Sequence, residues 1–207
     1  MKTRYKLIAF AFGITLFCVA CSEETKNKIE QVKQGVSSTT SFVKDANSVQ
    51  TEIERLQKLT PISNEQLKTW LPESVAGLKR AGFKVGQAGY MKINSVEGTY
   101  KDESSKKRLK VQVIDGAGPT GSVLIPSYGL LGNIDSEMED EYKHEKTVTV
   151  GGIKARQTFN KKRTSTTLTF LYNKRFMVQV DGTDMTPEET WGMVKKIQLK
   201  KLATTAT

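Results

Sequence analysis

Cysteine is almost absent from this chain. Of 207 residues only Cys18 and Cys21 are cysteines, and both fall within the first 21 positions. Nothing after Cys21 can therefore supply a disulfide, a thiolate metal ligand or a cysteine nucleophile. Histidine occurs once, at His144, so a zinc centre has no set of ligands. No G-x-S-x-G is present either, which leaves a hydrolase triad without its nucleophile elbow. Beyond Ala20 no apolar run reaches the ~18 residues that a membrane-spanning helix needs. From Ser22 to Thr60 there is no tryptophan, tyrosine or proline, so that stretch has few residues from which to build a core.

What is present begins at the N-terminus. Lys2, Arg4 and Lys6 precede an apolar run from Leu7 to Ala20, which is too short to span a bilayer comfortably and fits the h-region of a signal peptide. The run ends Cys18-Val19-Ala20-Cys21, which resembles the lipobox of bacterial lipoproteins, with Cys18 where that family prefers leucine. The resemblance implies cleavage after residue 20, acylation (palmitate among the chains) of Cys21, and an envelope protein held to a membrane by lipid. Ser22 after the cysteine resembles lipoproteins sorted to the outer membrane, facing the periplasm or the surface. Glu23 and Glu24 resemble the acidic export tag of surface lipoproteins in Bacteroidetes. As a whole the chain is similar to small lipoproteins of Gram-negative bacteria.

The formal net charge is +10; without Lys2, Arg4 and Lys6 there remain 29 basic and 22 acidic residues. A basic protein outside the cytoplasm is suited to anionic headgroups or polysaccharide, and nucleic acid is not expected there.

Three segments are expected: a signal over 1–20, a helical stalk over 21–62 and a globular domain over 63–207. In the stalk Ile29, Val32, Val36, Val43, Ala46, Ile53 and Leu56 recur at helical spacing, weakened around Gly35 and Ser37–Ser41. Ser63 or Asn64 can cap a short helix over 65–71. Glycines at 77, 82, 86, 89 and 98 predict bulged or curved first strands. Strands are then predicted over 96–100 and around Leu109, Val111 and Val113, followed by 145–150, 153–159, 166–172 and 175–181. Gly151-Gly152 and Asn173-Lys174 are hairpin turns. Pro187 opens a terminal helix, with Trp191, Val194 and Ile197 on its buried face. Hairpins with segregated helices predict an α+β domain, an antiparallel sheet with flanking helices preceded by the stalk. The order of elements is loosely similar to the PsbP-like fold; the likeness is one of architecture and implies no function.

The stretch VIDGAGPTG carries G-x-G-x-x-G at Gly116, Gly118 and Gly121. A dinucleotide site would need a buried parallel strand before the glycines and a βαβ unit around them. Here Lys110 and Gln112 make one face of the preceding strand polar, Pro126 interrupts the expected helix, and hairpins follow. The glycines are therefore read as a turn that takes the chain off the sheet. Ser122 to Leu131, the most apolar segment of the mature chain, is then a helix or a packed loop crossing it. Leu124, Ile125 and Leu130 are its candidate contacts for an apolar ligand.

The acidic run Asp135–Glu141 lacks the glycine and terminal acid of an EF-hand and is read as a solvated loop. The basic clusters Lys106–Arg108, Lys161–Arg163 and Lys195-Lys196 with Lys200-Lys201 would form an anion-attracting edge if they project from one end of the sheet. No cofactor, metal or catalytic residue is expected. The expectation is a non-enzymatic lipoprotein whose domain binds a partner or supports an assembly, with two alternatives: a carrier of a lipid or other apolar ligand, and a binder of anionic polysaccharide or lipid.

Overall fold

A computed structural model describes residues 47–87, 93–132 and 134–205. The signal, Cys21 and most of the expected stalk lie outside the described residues. Everything described belongs to one compact unit, Lys44–Thr207.

The chain forms a helix over 47–57 (α1), then α2 (Asn64–Trp70), β1 (Ser74–Val75), β2 (Leu78–Gln87), β3 (Asn94–Lys101) and β4 (Arg108–Asp115). It continues through α3 (Gly118–Gly132), β5 (Glu137–Glu139), β6 (Lys143–Val150), β7 (Ile153–Asn160), β8 (Ser165–Tyr172) and β9 (Phe176–Thr183), and ends in α4 (Pro187–Val194) and α5 (Leu199–Thr205).

Local chemistry sets many of these boundaries. Ser63 caps α2 in a capping box: its hydroxyl accepts from the Gln66 amide, and the Gln66 side chain accepts from the Ser63 amide. Thr186 and Glu189 repeat the device at α4, with Pro187 in the first turn, where its missing N–H is harmless. Gly151 and Gly152 turn the β6–β7 hairpin with both φ angles positive, as do Asn173 and Lys174 between β8 and β9. That is the conformation whose twist matches two flanking strands. The predicted irregularity of the first strands is a register shift in β2 between Arg80 and Gly82.

Among the described residues nine strands join one sheet in the order β1-β2-β3-β4-β9-β8-β7-β6-β5, and every neighbouring pair is antiparallel. Two meanders therefore meet at a central seam between β4 and β9. The chain is α+β.

Alternation along the strands divides the sheet into two faces. On one, Val96, Tyr100, Leu109, Val111, Val113, Leu168, Phe170, Phe176, Val178 and Val180 are buried in the main core with Leu67 and Trp70 of α2, Trp191 and Val194 of α4, and Leu199 and Leu202 of α5. Tryptophan nitrogens are satisfied as their burial requires: Trp70 donates to the Gln198 carbonyl at 2.9 Å, and Trp191 to Gln157 Oε1 at 3.0 Å. On the other face α3 sets Ile125 against Ile93 and Ile114, with Leu124, Leu171 and Met177 packed beside them.

Three sequence expectations need correction. The glycines do turn the chain off β4, with Gly118 at positive φ, but Pro126 does not interrupt the helix that follows: α3 begins at Gly118 and runs through it. A proline within a helix costs about 3 kcal/mol. Burial of Ile125 at 0% exposure against the sheet, together with burial of Pro126, opposes that cost. The terminal helix is two helices: α4 stops at Val194, Ile197 lies in the connection, and α5 follows. The acidic run is not a loop throughout, since Glu137–Glu139 pairs with His144–Lys146 as the edge strand β5.

Candidate functional site

At one end of the sheet lie the β6–β7 and β8–β9 turns and the connection from α4 to α5. Together they enclose an open groove of about 1000 Å³ that curls round the end of the strands. Ile153, Phe170 and Tyr172 reach it from the face that α4 and α5 cover, and Lys154, Arg156 and Leu171 from the opposite face. On the helix side Val194, Ile197 and Leu199 complete an apolar floor below Lys195, Lys196, Lys200 and Lys201.

The electrostatics of the groove are one-sided. Among the described residues seven lysines and arginines line it, and no aspartate or glutamate does. Three of the seven are matched by acids just outside: Lys154 with Asp135 at 2.9 Å, Arg156 with Glu145 at 2.8 Å, and Lys174 with Glu52 at 3.6 Å. Glu145 stays charged opposite Arg156, because the hydrogen bond from Lys143 foremost, with the charges of Lys143 and Arg156, holds its carboxyl below the ordinary glutamate value. Lys195, Lys196, Lys200 and Lys201 are exposed, and among the described residues none of them has an ion-pair partner. Four like charges on one short segment raise the local potential and draw anions.

The three basic clusters do not share an edge. Arg108 and Ser165 both pair with Thr183, so the turns carrying Lys106–Arg108 and Lys161–Arg163 flank the end of β9 together. Lys195–Lys201 lies at the opposite end, beside the groove. The first two clusters are also partly neutralised: Lys107 meets Glu189 at 2.6 Å and Lys161 meets Glu139 at 2.6 Å. The acidic run supplies several of these counter-charges. Asp135 takes Lys154 and Glu139 takes Lys161, while Glu137 Oε1 lies in hydrogen-bond contact with His144 Nε2 at 2.7 Å. His144 is thus a member of a strand-to-strand pair.

Two of the candidate contacts for an apolar ligand, Leu124 and Ile125, pack instead into the second face of the sheet. Ile125 is fully buried and Leu124 is partly buried beside it; neither lines the groove. Leu130 lies further along α3, in its last turn. Cys21 lies outside the described residues.

The glycine motif belongs to a buried structural knot. Asp115, at 0% exposure, receives Arg175 in a two-pronged ion pair, Nε to Oδ1 at 2.7 Å and Nη2 to Oδ2 at 2.8 Å. The same carboxylate accepts from the amides of Ile62 at 2.8 Å and Ala117 at 3.1 Å. Arg175 also donates to the Thr60 carbonyl at 3.0 Å, so the pair ties the segment before α2 to the seam of the sheet. A Cβ on Gly116 would sit 2.6 Å from the Arg175 carbonyl oxygen, and one on Gly121 2.8 Å from that of Asp115. The glycines are required by close packing of α3 on this knot, and no phosphate is needed to explain them.

Sequence reasoning flagged Lys195, Lys196, Lys200 and Lys201 but missed the other half of the groove. Lys154 and Arg156 fall in the predicted strand 153–159 and Lys174 in a predicted hairpin turn, and only the fold brings them to the same groove as the α4–α5 lysines. Compared with protein families, curated proteins and solved structures, the chain matches none.

Proposed function

We propose that this chain is a non-enzymatic envelope lipoprotein whose domain binds an anionic ligand in the lysine-rimmed groove. Cys21 carries the acyl anchor, and the sheet domain carries the groove. The observation that carries the reading is the set of four exposed lysines without acid partners among the described residues, on the rim of a groove whose described lining contains no carboxylate. A merely solubilising surface intersperses charges of both signs, as the opposite end of this sheet does through its Lys107–Glu189 and Lys161–Glu139 pairs.

Two experiments test the two halves of the proposal. For the ligand, dextran sulfate binding is measured on the soluble chain from Ser22 onward at low and high salt. Replacing Lys195, Lys196, Lys200 and Lys201 together by alanine should weaken binding more than tenfold at low salt, at about 1 kcal/mol per lysine before saturation. The same loss from replacing Lys106, Lys162 and Arg163 instead would overturn the assignment to the groove. For the anchor, cells are labelled with radioactive palmitate. Label should be absent from Cys21→Ser, and label retained on that variant would sink the lipoprotein reading.

A further inference from the structure

The groove is more than a charged surface, because its helix-side half has an apolar floor beneath the cations. Phe170, Val194, Ile197 and Leu199 line it at exposures of 2%, 4%, 6% and 5%, with Tyr172 and Ile153 partly buried beside them. A simple polyanion has no use for such a floor: its charged groups would hover over hydrocarbon while the lysines solvated them at the rim. A ligand with an apolar tail and one anionic head would use both features. The tail displaces water from the floor, and the head is shared by lysines that precede and follow the turn between α4 and α5. We propose that the groove binds an anionic amphiphile, with an alkyl chain along Phe170, Ile197 and Leu199 and a phosphate or carboxylate between Lys195-Lys196 and Lys200-Lys201. This rests on the anion-binding reading above and names its ligand class.

The fold also supplies a reporter. Trp191 stacks on Phe170 with ring centroids 6.1 Å apart, and Trp70 donates to the carbonyl of Gln198, which lines the groove. Both tryptophans in the chain therefore stand one residue behind the floor.

The test titrates the soluble chain from Ser22 onward with inorganic phosphate, octyl phosphate, decyl phosphate and dodecyl phosphate below their micelle concentrations. Tryptophan emission and calorimetry give the affinities. Each added methylene should tighten binding roughly two- to fourfold, the range for partial to full burial at ~0.8 kcal/mol per methylene. Alanine at the four lysines should weaken dodecyl phosphate binding by at least about tenfold while leaving the folded-state spectrum unchanged, because all four side chains are exposed. Vesicles of phosphatidylcholine with and without phosphatidylglycerol distinguish the source of the head. Flotation with the anionic vesicles that dodecyl phosphate competes away supports a bilayer lipid, whereas binding of the monomer without flotation supports a free amphiphile. Affinity independent of chain length, with dextran sulfate binding intact, overturns the amphiphile and leaves the anion reading standing. Absence of both bindings overturns the two together.

Discussion

Removing the Asp115 carboxylate should be among the most damaging single changes in the domain. In Asp115→Ala the Arg175 guanidinium, at 4% exposure, loses both of its short bonds to Asp115, and the amides of Ile62 and Ala117 lose their acceptor. Breaking one side of a buried ion pair costs about 3–5 kcal/mol, and each stranded amide adds about 1–3 kcal/mol if no water reaches it. These terms overlap once the site relaxes, so the expected loss is about 4 kcal/mol, a large share of the ~5–15 kcal/mol that holds a typical domain folded. Asp115→Asn should fare little better, because its amide would point a donor at the guanidinium. Urea unfolding followed by tryptophan emission reads the effect: with a slope of ~2 kcal/mol/M the midpoint falls by roughly 2 M. The double variant Asp115→Ala/Arg175→Met removes the stranded charge. It should be less destabilised than the sum of its two single variants by at least ~2 kcal/mol. A loss under about 1 kcal/mol in Asp115→Ala, or strict additivity in the double variant, would refute the claim that this pair is a dry, coupled knot.

Other perturbations probe separate parts of the structure. A methyl group at Gly182 would stand 2.5 Å from Thr190 Oγ1 and 3.1 Å from Met185 Cβ, so Gly182→Ala should lift α4 from the sheet. The loss is about 1–3 kcal/mol by overpacking, and an unchanged Tm would count against the tight α4–β9 contact. Burial pushes the Tyr100 hydroxyl up to about 12, against an ordinary value of 10.0. Its stabilising effect is therefore complete below pH 10 and lost as the pH rises from 10 to 12, where the unfolded chain ionises first. Spectrophotometric titration should show one late tyrosine that is missing in Tyr100→Phe. Hydrogen bonds from Lys161, Lys143 and Lys107, the largest cause in each case, hold Glu139, Glu145 and Glu189 below 4.5. Depressed carboxylates stabilise above their unfolded value, so Tm should decline as the pH drops below 4.5; a flat Tm down to about pH 3 would contradict these pairings.

Features legible in the sequence were those decided within a few residues. Ser63 with Gln66, Pro187 after Thr186, and the Gly151-Gly152 and Asn173-Lys174 turns each announce a boundary through chemistry that neighbours complete. Alternation of Leu109, Val111 and Val113 with Lys110 and Gln112 likewise gave β4 its two faces. What escaped depended on partners far along the chain. Pro126 argues locally against a helix, yet Ile125 finds Ile93 and Ile114 on a sheet face that only the fold assembles. Glu137 to Glu139 has the composition of a solvated loop, and His144–Lys146 makes it a strand. Asp115 and Arg175 lie 60 positions apart, and no local pattern marks them as partners. For the groove, Lys195 to Lys201 stood out as a cluster, but nothing local joins it to Phe170 of a predicted strand or to Ile197 of a buried helix face, which the fold sets beneath it with Leu199.

The seam between β4 and β9 has a kinetic consequence. Every other strand pairing in the sheet joins segments that follow one another along the chain, with short reach. The seam alone brings together Arg108–Asp115 and Phe176–Thr183 in eight consecutive register pairs, after α3 and four strands have intervened. Contacts of such long sequence separation are slow to form, because closing the loop is entropically opposed before any pairing rewards it. The two meanders can therefore organise as separate halves. Their zippering at the seam, locked by Asp115 and Arg175 at one end, is the step that should set the refolding rate.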